Sequence, residues 1–280
     1  KTLQAIAYLL LHPELRPAII VCPASAKFVW QKEFRESCGI KNCATLQGRA
    51  SQGNINSSLI IVNYDILKDR VGELLELKPK IVVLDECHAI KEVTAQRTKA
   101  VKKLCEKVAH VICLSGTPIT NRPIEFFSTL NLIDPFQFPN RFRFALKYCN
   151  AKKNRFGWDM RGSSNTDELN STLTKSVMIR RKKIDVLPEL AAKIRTAISF
   201  EIDNKKEYKE VESNILSWIR ENEGTLAAAK ASKAEYIVRL EKLKQTAAMG
   251  KIEGIKKWIE DFIDSDEKIV VFCTHTIVIE

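Results

Sequence analysis

The chain has 280 residues, 45% of them apolar, with 10 Gly and 9 Pro, which excludes a disordered or low-complexity protein and leaves room for one large core or two smaller ones. No apolar run approaches the roughly 18 residues that a membrane span requires, and the first segment lacks the charged-apolar-small pattern of a signal peptide, so a soluble intracellular protein is expected. Of the net charge of +11, residues 141 to 195 carry +9 (14 Lys/Arg against 5 Asp/Glu); this local excess reads either as a solvated lysine-rich face or as a surface for a polyanion, most simply nucleic acid.

In chain order, the pattern predicts helix 2 to 11, strand AIIVC at 18 to 22, helix 26 to 37, strand LIIVN at 59 to 63, strand IVVL at 81 to 84, helix 94 to 107 and strand VICLS at 111 to 115. Short apolar strands alternating with amphipathic helices predict an α/β fold, a mostly parallel, doubly wound sheet. After Asp134-Pro135 the sequence turns aromatic, basic and weakly periodic, as expected of an insertion carrying a loop. Regularity resumes with the helix-like DELNSTLTKSVMIRRKK, a break at Leu187-Pro188 and a strand-like run from Arg195 to Ile202. Two helices follow, one with Tyr208, Val211, Ile215, Trp218 and Ile219 on a face, the other with Tyr236, Ile237, Leu240 and Leu243, separated by Gly224. Ile252, Ile255, Ile259, Phe262 and Ile263 mark an amphipathic helix, and KIVVFC at 268 to 273 reads as a new buried strand. The eight cysteines form no CxxC pair, so buried reduced thiols are expected rather than zinc or disulfides.

The chemistry concentrates in IVVLDECHAIK at 81 to 91. An apolar strand ending in Asp85-Glu86 places two carboxylates at the C-terminal mouth of a parallel sheet, where open α/β folds bind ligands. Lys1 and Thr2 open the first helix in the manner of the last two residues of the phosphate-binding GxxxxGK[ST] loop. Nucleotide hydrolysis needs an ammonium on the terminal phosphates, a hydroxyl and a carboxylate on Mg²⁺, and a group that activates water. Lys1, Thr2, Asp85 and Glu86 are those residue types, and the helix start adds a dipole that favours phosphate. LSGTPITNRP at 114 to 123 ends another strand with Ser115, Gly116 and Thr117 on a turn able to link such a site to a nucleic-acid groove.

Several ordered motifs make the chain resemble the Swi/Snf-type DNA-translocating ATPases of helicase superfamily two: KTLQA at 1 to 5, VCPASAKFVWQKEF at 21 to 34, IVNYDIL at 61 to 67, DECH at 85 to 88, LSGTP at 114 to 118 and RRKKIDVLPEL at 180 to 190. Asn121-Arg122-Pro123 and the final segment resemble the branch of annealing helicases and fork-remodelling enzymes. The resemblance implies RecA-like lobes, ATP and Mg²⁺ as cofactors, and double-stranded or forked DNA as partner, with no membrane. Lys1 and Thr2 would bind phosphate and Mg²⁺, Asp85 would hold Mg²⁺, Glu86 would activate water and His88 would couple the two sites. Pro23, Ser25, Lys27 and Trp30, then Asn63 and Tyr64, fall in segments that track one DNA strand, although Trp30 reads equally well as core. Ser115, Gly116 and Thr117 would transmit nucleotide state, and Arg180, Arg181, Lys183 and Asp185 would brace the first lobe. Cys87 stands where the family usually has Ala.

The implied organisation is a first-lobe core over 1–133, a basic helical protrusion with a return to that lobe over 134–204, a helical linker or protrusion over 205–250 and the start of a second lobe over 251–280. The opening on Lys1, without preceding glycines, reads as a fragment, as does the lack of second-lobe arginines; such a chain alone would be nearly inactive. A nuclear location is expected for a eukaryotic source and a cytoplasmic one for a prokaryotic or viral source. The rival readings are a superfamily-two RNA helicase, disfavoured by RRKKIDVLPEL and the long insert, and a non-catalytic nucleic-acid-binding module retaining the fold.

Overall fold

A computed structural model describes residues 1–40, 42–50, 55–119, 121–155, 157–222, 228–263 and 268–279. The chain divides into two compact units, Lys1–Pro188 and Glu189–Glu280. Gly224 lies outside the described residues.

The first unit is built on five strands, β1 (Ala18–Cys22), β2 (Ala44–Thr45), β3 (Leu59–Asn63), β4 (Ile81–Leu84) and β5 (His110–Cys113). They lie in the order β2-β3-β1-β4-β5, every neighbouring pair parallel. Each residue of β1, β3 and β4 is buried, because helices cover both faces and a strand then needs apolar side chains on both sides. Alternation still sorts the side chains. Ile19, Val21, Ile60, Val62, Val82 and Leu84 enter one cluster, and Ala18, Ile20, Cys22, Leu59, Ile61, Ile81 and Val83 the other.

Helices α1 (Thr2–Leu11) and α2 (Lys27–Cys38) close the second cluster with Ala5, Ile6, Leu9, Trp30 and Phe34. On the opposite face, α3 (Tyr64–Glu76) and α4 (Gln96–Cys105) contribute Tyr64, Leu67, Val71, Leu74, Ala100, Val101 and Leu104. Helix α3 is not among the expected elements, although Leu67, Val71 and Leu74 recur at the spacing of one helical face. Among the described residues the chain runs from β1 outward to β2 and β3, crosses back to β4 and continues to β5 on the other side. The topological switch point, where such sheets bind ligands, therefore lies between the C-terminal ends of β1 and β4.

The aromatic segment after residue 134 is more ordered than an insertion loop. Following α5 (Phe127–Ile133), it folds into α6 (Arg141–Tyr148), a hairpin of β6 (Lys152–Asn154) and β7 (Gly157–Asp159), and α7 (Thr166–Ser176). Phe127, Leu130, Phe138, Phe144, Tyr148, Leu169 and Leu173 give it a core of its own. Asn140 caps α6, its side-chain oxygen accepting from the backbone N–H groups of Phe142 and Arg143. The short helix α8 (Lys183–Val186) ends this unit.

The second unit holds the three expected helices, α9 (Lys205–Asn222), α10 (Ala228–Met249) and α11 (Ile252–Ile263). Gly250 is required there: a Cβ at this position would overlap the side chain of Asn204, whose Nδ2 donates to the Thr246 carbonyl at 2.9 Å. The two strands expected in this unit, at 195 to 202 and 268 to 273, do not form. Both runs are apolar, but a strand exists only by pairing, and among the described residues neither has a neighbour.

Candidate active site

The turn after β4 is held from three sides. The Asp85 N–H donates to the Val21 carbonyl at 2.8 Å, the Cys87 N–H to the Leu114 carbonyl at 2.9 Å, and the Leu114 N–H to the Leu84 carbonyl at 2.8 Å. These bonds tie the ends of β1, β4 and β5 into one ledge at the switch point. Glu86 occupies the left-handed region, φ 49°, a conformation that costs a non-glycine residue about 1–2 kcal/mol. Such strain is characteristic of side chains held for a task.

Asp85 is 9% exposed, and both of its oxygens are engaged. The Trp30 indole N–H donates to Oδ2 at 2.8 Å and the Glu86 N–H to Oδ1 at 3.0 Å. The Tyr64 hydroxyl donates to the Asp85 carbonyl at 2.8 Å. Two bonds leave lone pairs on the carboxylate for a cation, while fixing its plane.

Glu86 points to the opening. Its Oε1 lies 3.7 Å from Lys1 Nζ and its Oε2 lies 3.2 Å from His88 Nδ1. Lys1 precedes α1, and Thr2 is the first residue of that helix. A Cβ on Gly116 would stand 3.3 Å from Lys1 Nζ, so the missing side chain leaves room for the ammonium. The Ser115 hydroxyl accepts from the Thr117 N–H at 3.1 Å and shapes the turn beside it. Lys1, Asp85, Glu86, His88 and Gly116 thus come together from three stretches of the chain. Thr2 follows Lys1 into α1, with its side chain half-buried.

Four residues expected on a DNA-tracking surface are instead buried. Trp30 is fully buried, its ring 6.1 Å from that of Phe34 one turn along α2. Asn63 and Tyr64 are buried, and the buried Lys27 donates to the Leu46 carbonyl at 3.0 Å. None of the four presents its side chain to a ligand as large as a duplex; Trp30 and Tyr64 position Asp85 instead. The signal was available in the sequence: Trp30 and Phe34 share one helix face, and a buried indole N–H needs an acceptor. Pro23 is half-buried and Ser25 exposed at the start of the same segment. Arg180, Arg181, Lys183 and Asp185 are exposed and form no ion pair among the described residues, so the brace implied for them is not made within this unit.

Burial dominates the electrostatics under the ledge. It pushes the Cys22 thiol up to about 12, with the Asp85 charge adding to the effect and Lys27 opposing it. It also lifts the Tyr64 phenol well above its ordinary value, so Tyr64 remains a donor. Cys87 and Cys113 share a hydrogen bond that holds the first thiol down and raises the second.

The sequence profile described as the SNF2-related domain matches residues 1–249. The chain belongs to this family. A SNF2 relative from Xenopus laevis, "SWI/SNF-related matrix-associated actin-dependent regulator of chromatin subfamily A-like protein 1", is 30% identical over 100% of this chain and 29% of its own length. The "DNA annealing helicase and endonuclease ZRANB3" of Bos taurus is 31% identical over 98% of this chain and 26% of its own. This SNF2 chain therefore spans less than a third of the length of either of these two relatives. Among solved structures, the "Sulfolobus solfataricus SWI2/SNF2 ATPase core in complex with dsDNA" superposes with a TM-score of 0.56 at 25% identity, over 99% of this chain and 61% of that one. Among the described residues no helix is long and apolar enough to cross a membrane.

Proposed function

We propose that this chain forms the nucleotide-binding lobe of an ATP-driven motor that tracks double-stranded or forked DNA. The observation that carries the reading is the convergence of Lys1, Asp85, Glu86 and His88 at the switch point of a SNF2-family sheet. The donor set fits Mg·ATP. Mg²⁺ takes one or two carboxylates plus substrate phosphates rather than a protein cage, and the described residues offer hard oxygen donors with no cluster of three or more metal-ligating side chains. Asp85 and the Thr2 hydroxyl would hold the ion, which supplies charge neutralisation at the phosphates when bound.

The protein's own groups then divide the work. Lys1, at the positive end of α1, neutralises the terminal phosphate. Without nucleotide its ammonium faces Glu86 across 3.7 Å; phosphate competes for Lys1 and releases Glu86 to orient a water and accept its proton. His88 Nδ1 stands 3.2 Å from the other Glu86 oxygen without a hydrogen bond to it, so that it attracts the carboxylate when the ring is protonated. Helix α2 begins beside the exposed Ser25 and carries Trp30 onto Asp85, which gives contact at Pro23 and Ser25 a mechanical route to the metal carboxylate. Gly116 lies against Lys1, and Ser115 and Thr117 shape the turn that holds it there.

In this reading residues 1–133 form the lobe core, 134–204 the basic protrusion and return, 205–250 a helical linker, and 251–280 the entrance to a second lobe. Turnover in this reading draws on arginines of a second lobe, worth roughly 10³ to 10⁵ in rate in related enzymes. A motor of this kind works where DNA is, in the nucleus of a eukaryote or the cytoplasm of a prokaryote. Calorimetric titration with a non-hydrolysable ATP analogue and Mg²⁺ tests the site. Lys1→Ala and Asp85→Asn are expected to weaken binding at least about tenfold, the equivalent of about 1.4 kcal/mol, and Glu86→Gln to leave it nearly intact. Unchanged affinity in the first two variants would sink the assignment.

A further inference from the structure

The hairpin β6-β7 presents an aromatic pair that the core does not use. Trp158 is 46% exposed and Phe142, on α6, is 36% exposed, and neither belongs to the apolar cluster that Phe144 and Tyr148 of the same helix enter. Their rings meet edge to face, centroids 4.8 Å apart at 81°, the geometry aromatic pairs prefer. A hairpin of three residues a strand is marginal by itself. This contact, and Arg141 Nη1 on the Met160 sulfur at 3.5 Å, hold it to α6. The indole is therefore fixed in position while much of its surface stays in water. An exposed tryptophan on a short hairpin is an expensive use of a residue that usually anchors cores.

The charge around it is one-sided. Residues 141 to 163 contain seven Lys/Arg and one acid, Asp159. Both Asp159 oxygens are bound by the Arg161 guanidinium, at 2.9 and 3.0 Å, and that guanidinium holds the carboxyl down at about 2. The single negative charge of the segment is thus neutralised internally. Lys147 is spent on Glu168. Arg143, Lys152 and Lys153 form no ion pair among the described residues, and Lys153 stands directly opposite Trp158 in the hairpin register. A rigid, solvent-facing ring with an unpaired lysine directly opposite it, in a segment of net positive charge, is the arrangement by which proteins hold unpaired nucleotides, the base on the ring and the phosphates on the cations. A duplex keeps its bases stacked inside and offers the ring nothing.

We propose that Trp158, steadied by Phe142, is a stacking site for an unpaired base of single-stranded DNA, with Lys153 as its nearest phosphate contact and Arg143 and Lys152 adding positive charge along the strand's path. The site lies outside the nucleotide cluster and acts without ATP. A motor with such a site can recognise a junction where duplex gives way to single strand.

Fluorescence anisotropy of the chain with labelled oligo-dT, and separately with a blunt duplex of the same length, tests this without nucleotide. Trp158→Ala is expected to weaken oligo-dT binding roughly 5- to 150-fold, the range measured for loss of one stacking ring, and to leave duplex binding within about twofold. Trp158→Phe should restore most of the loss. Lys152→Ala with Lys153→Ala should weaken both ligands and lower the salt dependence by about one to two counterions. Oligo-dT affinity that survives Trp158→Ala, or falls no further than duplex affinity does, would overturn the proposal. Trp158→Ala also removes a contact that holds the hairpin to α6, so Trp158→Phe, which keeps a ring against Phe142, and an unchanged circular dichroism spectrum and melting transition separate loss of stacking from loss of the hairpin.

Discussion

Two segments of this chain have nearly the same composition and opposite fates. AIIVC at 18 to 22 is β1, fully buried between β3 and β4; KIVVFC at 268 to 273 forms no strand, with Val270 75% and Phe272 92% exposed. Both end in a cysteine, Cys22 buried and Cys273 exposed. The difference is not in the residues. It lies in whether two other strands are present to accept the backbone hydrogen bonds and two layers of helix to cover the faces. Apolar content makes a strand possible; pairing makes it a strand.

That contrast can be broken most forcefully with a charge. Ile20→Asp, in the middle of β1, should cost more than about 4 kcal/mol and abolish cooperative unfolding. Val271→Asp should change stability by no more than about 0.5 kcal/mol. Urea titration followed by circular dichroism reads both, and equal losses would mean that the final segment is buried after all. A sharper cut falls on the side chains that serve the sheet's C-terminal edge. Trp30→Ala should cost about 3–5 kcal/mol as a buried large-to-small change. Trp30→Phe keeps most of the volume and should cost about 1.5–3 kcal/mol, the worth of a hydrogen bond to a charged group. If Phe is silent, the indole N–H does not hold Asp85. Tyr64→Phe removes a neutral bond to the Asp85 carbonyl and should cost about 0.5–1.5 kcal/mol in the same assay.

The two cysteines give the mildest probe. A thiol reagent at neutral pH should modify Cys273 rapidly and Cys22 only on unfolding. Because burial raises Cys22 from 9.0 to about 12, its neutral form is favoured in the folded state. Its contribution to stability is complete below pH 9.0 and is lost as the pH rises toward 12. Cys22→Ala should accordingly flatten the alkaline limb of a stability-against-pH curve, and an unaltered limb would show that Cys22 titrates freely.

The sheet was legible because β1, β3 and β4 are buried on both faces and announce themselves as unbroken apolar runs. Helix α3 was not legible although Leu67, Val71 and Leu74 carry its period, because it follows β3 with no residue between them and no turn signal separates strand from helix. At the site, residue type was legible and burial was not. Asp85, Glu86 and Lys1 could be picked out by type and order. That Trp30, Asn63 and Tyr64 face inward depends on the angle at which α2 and α3 meet the sheet, which spacing along the chain does not encode. The strands expected at 195 to 202 and 268 to 273 failed for the complementary reason, since no local pattern says whether a partner strand is there.

The central claim is that Glu86, drawn between Lys1 and His88, activates water for a DNA-stimulated ATPase. ATP hydrolysis by this chain joined to a second lobe of the SNF2 kind, with and without duplex DNA and beside Glu86→Gln, tests it most directly. The account predicts turnover raised by duplex DNA and reduced at least about a hundredfold by the substitution, with general-base catalysis supplying roughly 10² to 10⁴ of the rate. A folded two-lobe protein that hydrolyses ATP equally well with glutamine at this position, or not at all with DNA present, would contradict it.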